Sequence, residues 1–196
     1  MKLSRIALTL IVAAGVATPA LRANAADAGP YLTLDGGVNL MQDVTIAPAG
    51  MPSFKRQMDT GFRVGAIAGY NLNEWVGLEL ESGFMYNGFK GINDAWYGAV
   101  PILGNVVFRY ENSSGFVPYI GAGAGGAYTM VEGNGTDKSD FVFAYQGKVG
   151  VAYNISANMA VDVGYKFFGT ADQKYDNVKV KDVYAHYIGV SLTVKF

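Results

Sequence analysis

Apolar and polar residues alternate along the chain in runs that restart after clusters of Asn, Asp, Gly and Ser. Eight such runs mark eight strands, at residues 31–41, 62–71, 75–87, 97–110, 116–131, 141–153, 159–168 and 183–196. Side chains of a strand alternate between its two faces, so each run carries one apolar and one mixed face. The last run, YIGVSLTVKF, sets Ile188, Val190, Leu192, Val194 and Phe196 against Tyr187, Gly189, Ser191, Thr193 and Lys195. Leu32, Leu34, Gly36, Val38 and Leu40 oppose Thr33, Asp35, Gly37 and Asn39. Val76, Leu78, Leu80, Phe84 and Tyr86 oppose Gly77, Glu79, Glu81, Gly83 and Asn87. Phe141, Phe143, Tyr145, Val149, Val151 and Tyr153 oppose Gln146, Lys148 and Gly150, and Met159, Val161, Val163, Tyr165 and Phe167 oppose Asp162, Gly164 and Lys166. Two runs are less regular. Ile67, Leu103 and Val107 fall on the polar parity, and Pro101, which has no N–H for a ladder, is expected near an end or a bulge.

The connections alternate too. Residues 42–61, 88–96, 132–140 and 169–182 form long polar links, whereas 71–74, 111–115 and 154–158 are short. In an up-and-down antiparallel arrangement all long loops emerge at one end and all tight turns at the other, as in transmembrane barrels. A soluble lipocalin-like barrel, apolar inside and polar outside, is the alternative, and it predicts an outer face scattered with Lys and Glu. The polar parity here is instead mostly Gly, Ser, Thr, Asn and Tyr. Its few charges balance: Arg63, Arg109, Lys148 and Lys166 against Asp35, Glu79, Glu81 and Asp162. A narrow interior in which every buried charge needs a partner requires that balance. The polar face is therefore read as the inside of an all-β, eight-stranded antiparallel up-and-down transmembrane β-barrel. Aromatic residues beside the short turns (Tyr70, Trp75, Tyr153) and near the long loops (Tyr86, Trp96, Phe167) fit two interfacial girdles.

The first residues set the compartment. Lys2 and Arg5 precede an apolar run from Ile6 to Ala17, and Ala23-Asn24-Ala25 fits a signal-peptidase site. Residues 1–25 are thus expected to be a signal peptide and 26–196 the barrel domain, although Arg22 is unusual so near a cleavage site. Without Lys2, Arg5 and Arg22, twelve basic face sixteen acidic residues, which is no nucleic-acid footprint. The chain has no cysteine, so no disulfide holds the exported domain together.

Candidate chemistry is sparse. Gly121, Gly123 and Gly126 match G-x-G-x-x-G, but they continue a strand alternation and no amphipathic helix follows, so no dinucleotide or other cofactor is expected. His186 is the only histidine, and no serine lies at a short same-face spacing from it; Ser191 has the opposite parity. A hydrolase or acyltransferase acting on lipid A is disfavoured on that ground. Glu79 and Glu81 could form a paired-carboxylate site, but with Arg63 and Arg109 nearby an ion-pair network is the simpler reading. The loop acids Asp137, Asp140, Asp172, Asp176 and Asp182 match no calcium-loop spacing and read as solvated charge.

The segments GPYLTLDGGVNL, GFRVGAIAGYNL, EWVGLELESGFMY, VPYIGAGAGGAY, YQGKVGVAYNIS and MAVDVGYKFFG resemble the small outer-membrane β-barrel proteins of the OmpA/OmpX/Opacity type, often labelled "porin family protein". The resemblance implies insertion by the outer-membrane assembly machinery, which recognises a closing strand ending in an aromatic, here Ile188, Val190, Leu192, Val194 and Phe196. It further implies contact with outer-membrane lipids and lipopolysaccharide, and a surface ligand for the long loops. No peptidoglycan-binding domain is expected, because the chain stops at Phe196. The reading is a non-enzymatic envelope or adhesin-like protein, with a narrow channel for ions or small solutes as the alternative.

Overall fold

The computed structural model describes residues 28–133 and 136–196; the proposed signal peptide lies outside them. The described residues form twelve strands, numbered in chain order. Eight close a barrel: β1 (Gly29–Met41), β4 (Gly61–Asn71), β5 (Val76–Gly88), β6 (Trp96–Arg109), β7 (Phe116–Gly133), β8 (Thr136–Asn154), β9 (Met159–Thr170) and β12 (Tyr184–Lys195). Each pairs antiparallel with its neighbour in sequence, and β1 pairs with β12 to close the ring.

The register puts the alternating faces where the pattern requires. Leu34 (66% exposed) and Val190 (63%) point away from the lumen, whereas Asp35, Arg63 and Glu81 are buried inside. A polar-out soluble barrel is therefore excluded. Aromatic side chains ring both ends of the outer wall. Trp75 meets Tyr110 (5.9 Å between ring centres) and Phe116 meets Tyr153 (4.8 Å) at the short-turn end. At the long-loop end Phe62 stacks on Tyr86 (5.5 Å), Tyr86 meets Trp96 (5.6 Å) and Phe167 stacks on Tyr184 (5.8 Å).

The long links differ from their sequence reading. Strands β7 and β8 continue past the expected ends at 131 and 141, with Glu132 opposite Asp137 and Gly133 opposite Thr136. Their hairpin thus extends beyond the barrel rim. The intervening Asn134-Gly135 is a dipeptide that two-residue hairpin turns favour, but the flanking residues are too polar to show an alternation. The first and last long links carry four short strands: β2 (Val44–Pro48), β3 (Phe54–Arg56), β10 (Gln173–Tyr175) and β11 (Val178–Lys181). They assemble in the order β10-β11-β2-β3, so the two links flanking the β1–β12 seam share one sheet. Pro101 lies at neither an end nor a bulge. It sits in mid-β6, where pairing to β5 lapses between Ser82–Ile102 and Met85–Ala99 while the register is kept, so its missing N–H leaves a gap without an inserted residue.

Inside, the barrel has two zones. Toward the long loops, Met41, Met85, Tyr97, Ala99, Leu103, Ala127, Ala144 and Phe168 form an apolar core, which the loop sheet covers with Val44, Tyr175 and Val180. Leu103, an exception to the polar parity, belongs to this plug. The buried Tyr175 hydroxyl donates to Gln173 Oε1 (2.7 Å) and its oxygen lies 2.7 Å from Thr129 Oγ1, and burial pushes it from the ordinary 10 up to about 12. A raised folded-state pKa contributes stability that is full below pH 10 and lost as pH rises through about 12. Tyr175→Phe is expected to destabilise the loop sheet below pH 10 and to flatten its decline above it, read as near-ultraviolet circular dichroism against pH; an unchanged decline would place the titrating group elsewhere.

The charged barrel interior as candidate functional site

Toward the short turns the lumen is charged. Glu81, on β5, is fully buried, and cations from three other strands converge on it. Arg63 of β4 donates from Nη2 at 2.5 Å and Lys166 of β9 at 2.6 Å, while Lys148 of β8 lies 3.9 Å away. Gln146 (2.6 Å) and Asn105 (3.1 Å) donate to its second oxygen. Glu79, two residues back on the same inward face, accepts from Lys148, from Tyr31 (2.7 Å) and from Arg109 (3.3 Å). Asp35 accepts from Lys166 at 3.2 Å.

Seven of the eight predicted charges thus share one ion-pair cluster across the lumen. Asp162 is the exception: hydroxyls hold it, Tyr119 at 2.9 Å and Ser191, with no cation within ion-pair distance among the described residues. Charge balance alone does not single out the neutral partners Tyr31, Asn105, Tyr119, Gln146 and Ser191. Their one signal was the inward parity they share with the charges. Space for the long side chains comes from glycine: a Cβ on Gly77 would collide with the Arg109 guanidinium, and one on Gly121 would lie 3.2 Å from Lys148 Cγ.

Glu79 and Glu81 are not a bare carboxylate pair: each is buried and already bonded to cations, and Glu79 borders a cavity. Between this cluster and the short-turn end lies a cavity of about 80 Å³, bordered by Tyr31, Asp35, Arg109, Asp162, Ser191 and Lys195 among others.

The other candidates sit apart. Gly121 and Gly123 lie on the inner wall of β7, and Gly126 lies on the outer wall under Phe141; none is at a strand-to-helix turn. His186 is on the outer wall. The Gln42 amide donates to its Nε2 (2.8 Å), leaving the ring proton on Nδ1 for the Tyr165 oxygen at 2.7 Å. Ser191 points into the lumen and does not join it. Among the loop acids, Asp140 accepts from the backbone N–H groups of Phe141 and Lys174 (2.8 Å each), Asp176 pairs with Lys138, and Asp182 accepts from Thr45 (2.7 Å). Asp137 and Asp172 are exposed.

Among the described residues Glu81 is the only carboxylate bonded to Arg63, whereas Glu81 keeps two lysines if Arg63 is lost. Glu81→Gln is therefore expected to destabilise the refolded barrel by about 3–5 kcal/mol, the range for a buried charge stripped of its partner. Arg63→Ala is expected to cost about 1–3 kcal/mol, since the remaining lysines compensate. Unfolding midpoints in urea give the order, and equal midpoints for both variants and the parent would argue against the network.

No protein of curated function matches the chain in sequence. Among solved structures, Neisserial surface protein A superposes with a TM-score of 0.62 at 20% identity, covering 86% of this chain and 97% of that one. The outer membrane protein OprG from Pseudomonas aeruginosa superposes with a TM-score of 0.59 at 17% identity, covering 85% and 96%. At such identities the likeness concerns the fold. The profile of the outer membrane protein beta-barrel domain matches residues 7–196, and with the closed eight-stranded ring it leads to one conclusion: the chain belongs to the outer-membrane β-barrel family.

Proposed function

We propose that the protein is a non-enzymatic envelope protein whose barrel is a membrane scaffold and whose surface loops make its contacts. The observation carrying this reading is the two-zone interior. A pore needs a continuous wet path. Here the apolar plug of Met85, Tyr97, Leu103 and Phe168, with Val44 and Val180 of the loop sheet above it, fills the loop end of the lumen. The charges below it are bonded to one another. Fold alone does not choose a function within such a family, so the reading rests on what the lumen and loops of this chain can do.

One observation favours the narrow channel as a second reading: the charged cavity of about 80 Å³ on the short-turn side would form its periplasmic half. Recording in planar bilayers separates the two. The scaffold reading expects silence from refolded protein; steady, reproducible openings would replace it with the channel. A role in lipid A modification would need His186 to serve as a base, and its bonds to Gln42 and Tyr165 leave no serine beside it.

The assembly signal is proposed to be the outward face of β12, the strand that meets β1 to close the barrel. Ile188, Val190, Leu192 and Phe196 are exposed on that face and Val194 is half-buried. The assembly machinery of the outer membrane would read this row before the barrel shuts. Deleting Phe196 is expected to lower the folded, heat-modifiable form in the outer-membrane fraction while leaving refolding in detergent unchanged; normal insertion without it would remove the residue from the signal.

A further inference from the structure

Ile67 and Val107 break the polar parity of their strands, yet neither belongs to the apolar plug. Both are buried beside the cavity on the short-turn side, together with Val117. Another wall of that cavity is rich in oxygen. Asp35 on β1, Ser191 on β12 and Asp162 on β9 form one row across three neighbouring strands and border the cavity. The strand order sets β12 across the ring from β6 and β1 across from β7, so the strands carrying this row stand opposite those carrying Val107 and Val117. Asp162 accepts from Tyr119 and Ser191 and has no cation within ion-pair distance among the described residues. A carboxylate offers about four lone-pair sites, so two of its sites are left over. Asp35 gives one oxygen to Lys166, while its buried Oδ1 has no hydrogen-bond partner among the described residues. The buried Tyr187 hydroxyl has none either. Its phenol lies over Gly189, where a Cβ would come within 2.1 Å of the oxygen, and so reaches toward the row of Ser191. If the phenol turned to donate to Asp35, its own lone pairs and those left on Asp162 would still need donors.

From this juxtaposition we infer that the cavity binds a small primary alkylammonium ion, with its N–H groups on Asp35, Asp162 and Tyr187 and its carbon stem against Ile67, Val107 and Val117. The inference holds for scaffold and channel alike, because it concerns only the short-turn half of the lumen. An ammonium group brings three donors, one for each of these acceptors. A hard divalent cation needs about six to eight oxygen ligands, and the backbone carbonyls of β1, β12 and β9 are committed to ladders. Charge points the same way. The lumen holds four cations and four carboxylates, so a univalent guest leaves a surplus of one charge and a divalent guest a surplus of two. The lumen's own cations do not take the place of the guest. Lys148 and Lys166 are tied to Glu79, Glu81 and Asp35, and Arg109 donates to Asn71 (2.6 Å) and Glu79 (3.3 Å). About 10–15 Å³ of such space holds one water, so the cavity's roughly 80 Å³ suits an ammonium head with a short stem. Asn71, Glu111 and Asn154 border the cavity beside the short turns, so a guest enters from that end without disturbing the apolar plug.

The test is titration of the protein refolded in neutral detergent with propylammonium chloride, followed by the amide resonances of Gly164, Gly189 and Ser191. Sodium chloride at the same ionic strength and the uncharged 1-propanol are the comparison solutes. Propylammonium is expected to shift these amides saturably, and to half-saturate at a concentration at least about fivefold below either comparison solute, since only it offers both charge and directed donors. Asp162→Asn keeps the shape of the side chain and removes its charge, and is expected to weaken propylammonium binding about tenfold. An Asp137→Asn control on the loops is expected to leave it unchanged. Heat-modifiable mobility reports whether each variant folds. Should Asp162→Asn fail to fold, Tyr187→Phe, which removes only an oxygen without a partner, is expected to fold and to weaken binding about threefold. Three results would overturn the inference: shifts that do not saturate, equal half-saturation by sodium or propanol, and undiminished binding in the folded variants. Equal binding of sodium would make this a general cation site, and equal binding of propanol an apolar cavity indifferent to charge. Bilayer recordings do not depend on the outcome, so the scaffold reading stands or falls separately.

Discussion

Everything inside this barrel is arranged around the buried carboxylate of Glu81. Backbone ladders set the mean radius of a closed ring, but they do not hold its cross-section against flattening. Glu81 on β5 reaches Lys148 on β8 and Lys166 on β9, while Arg63 reaches it from β4. The two lysine contacts tie together walls that share no ladder, whereas β4 and β5 are already ladder partners. Such pairs are a weak source of net stability, because the desolvation of two ions nearly cancels their attraction. Their larger effect is on alternatives. A slip of one residue in any strand exchanges its two faces, and here it would turn Arg63, Glu81 or Lys166 into the hydrocarbon, where charges are disfavoured by several kcal/mol. The network therefore constrains register as well as cross-section.

The same constraint explains why the interior is divided. A buried charge cluster keeps its pairs strong behind a dry boundary on the side where the loops would admit water. Phe168, Leu103 and Met85 supply that boundary, and the loop sheet seals it with Val44 and Val180. The sheet is in turn possible because β2 and β11 leave the barrel on either side of the β1–β12 seam, close enough to pair as Thr45 with Lys181 and Ala47 with Lys179. Ring closure at the seam thus brings together two chain segments that are more than a hundred residues apart.

Period-two alternation made the barrel strands legible, since lipid on one side and a shared lumen on the other impose the strictest two-face pattern a strand can have. The charged half of the lumen was legible for the same reason: Arg63, Glu79, Glu81, Lys148 and Lys166 are conspicuous on faces of small residues. The apolar half was not. Met85, Ala99 and Phe168 face inward like the charges, but an inward apolar residue looks like an irregularity unless its neighbours on other strands are known. Ile67 and Leu103 were visible only as departures from the pattern. The loop strands escaped because three to five residues are too few to establish a period, and two of those strands depend on partners from the other end of the chain. Asp162 could not be distinguished from its ion-paired neighbours, because Tyr119 and Ser191 meet it across strands.

Where a protein of this kind acts follows from which of its groups remain unpartnered. The outer wall is committed to lipid, and the lumen largely to itself: its carboxylates accept from its own cations, amides and hydroxyls, its outer half is packed shut, and its partnerless atoms, such as Arg63 Nε and Nη1, are buried. What remains, the short-turn cavity apart, is the surface beyond the rim, where no pattern of lipid and lumen dictates the side chains. There the loop sheet sets Lys174 across from Lys179, an arrangement that membrane insertion does not require and sheet pairing opposes. Interior charges in this protein are balanced to a degree that folding explains, whereas the lysines of the loop sheet are not. That difference separates the residues whose charge the barrel requires from those whose charge folding does not explain.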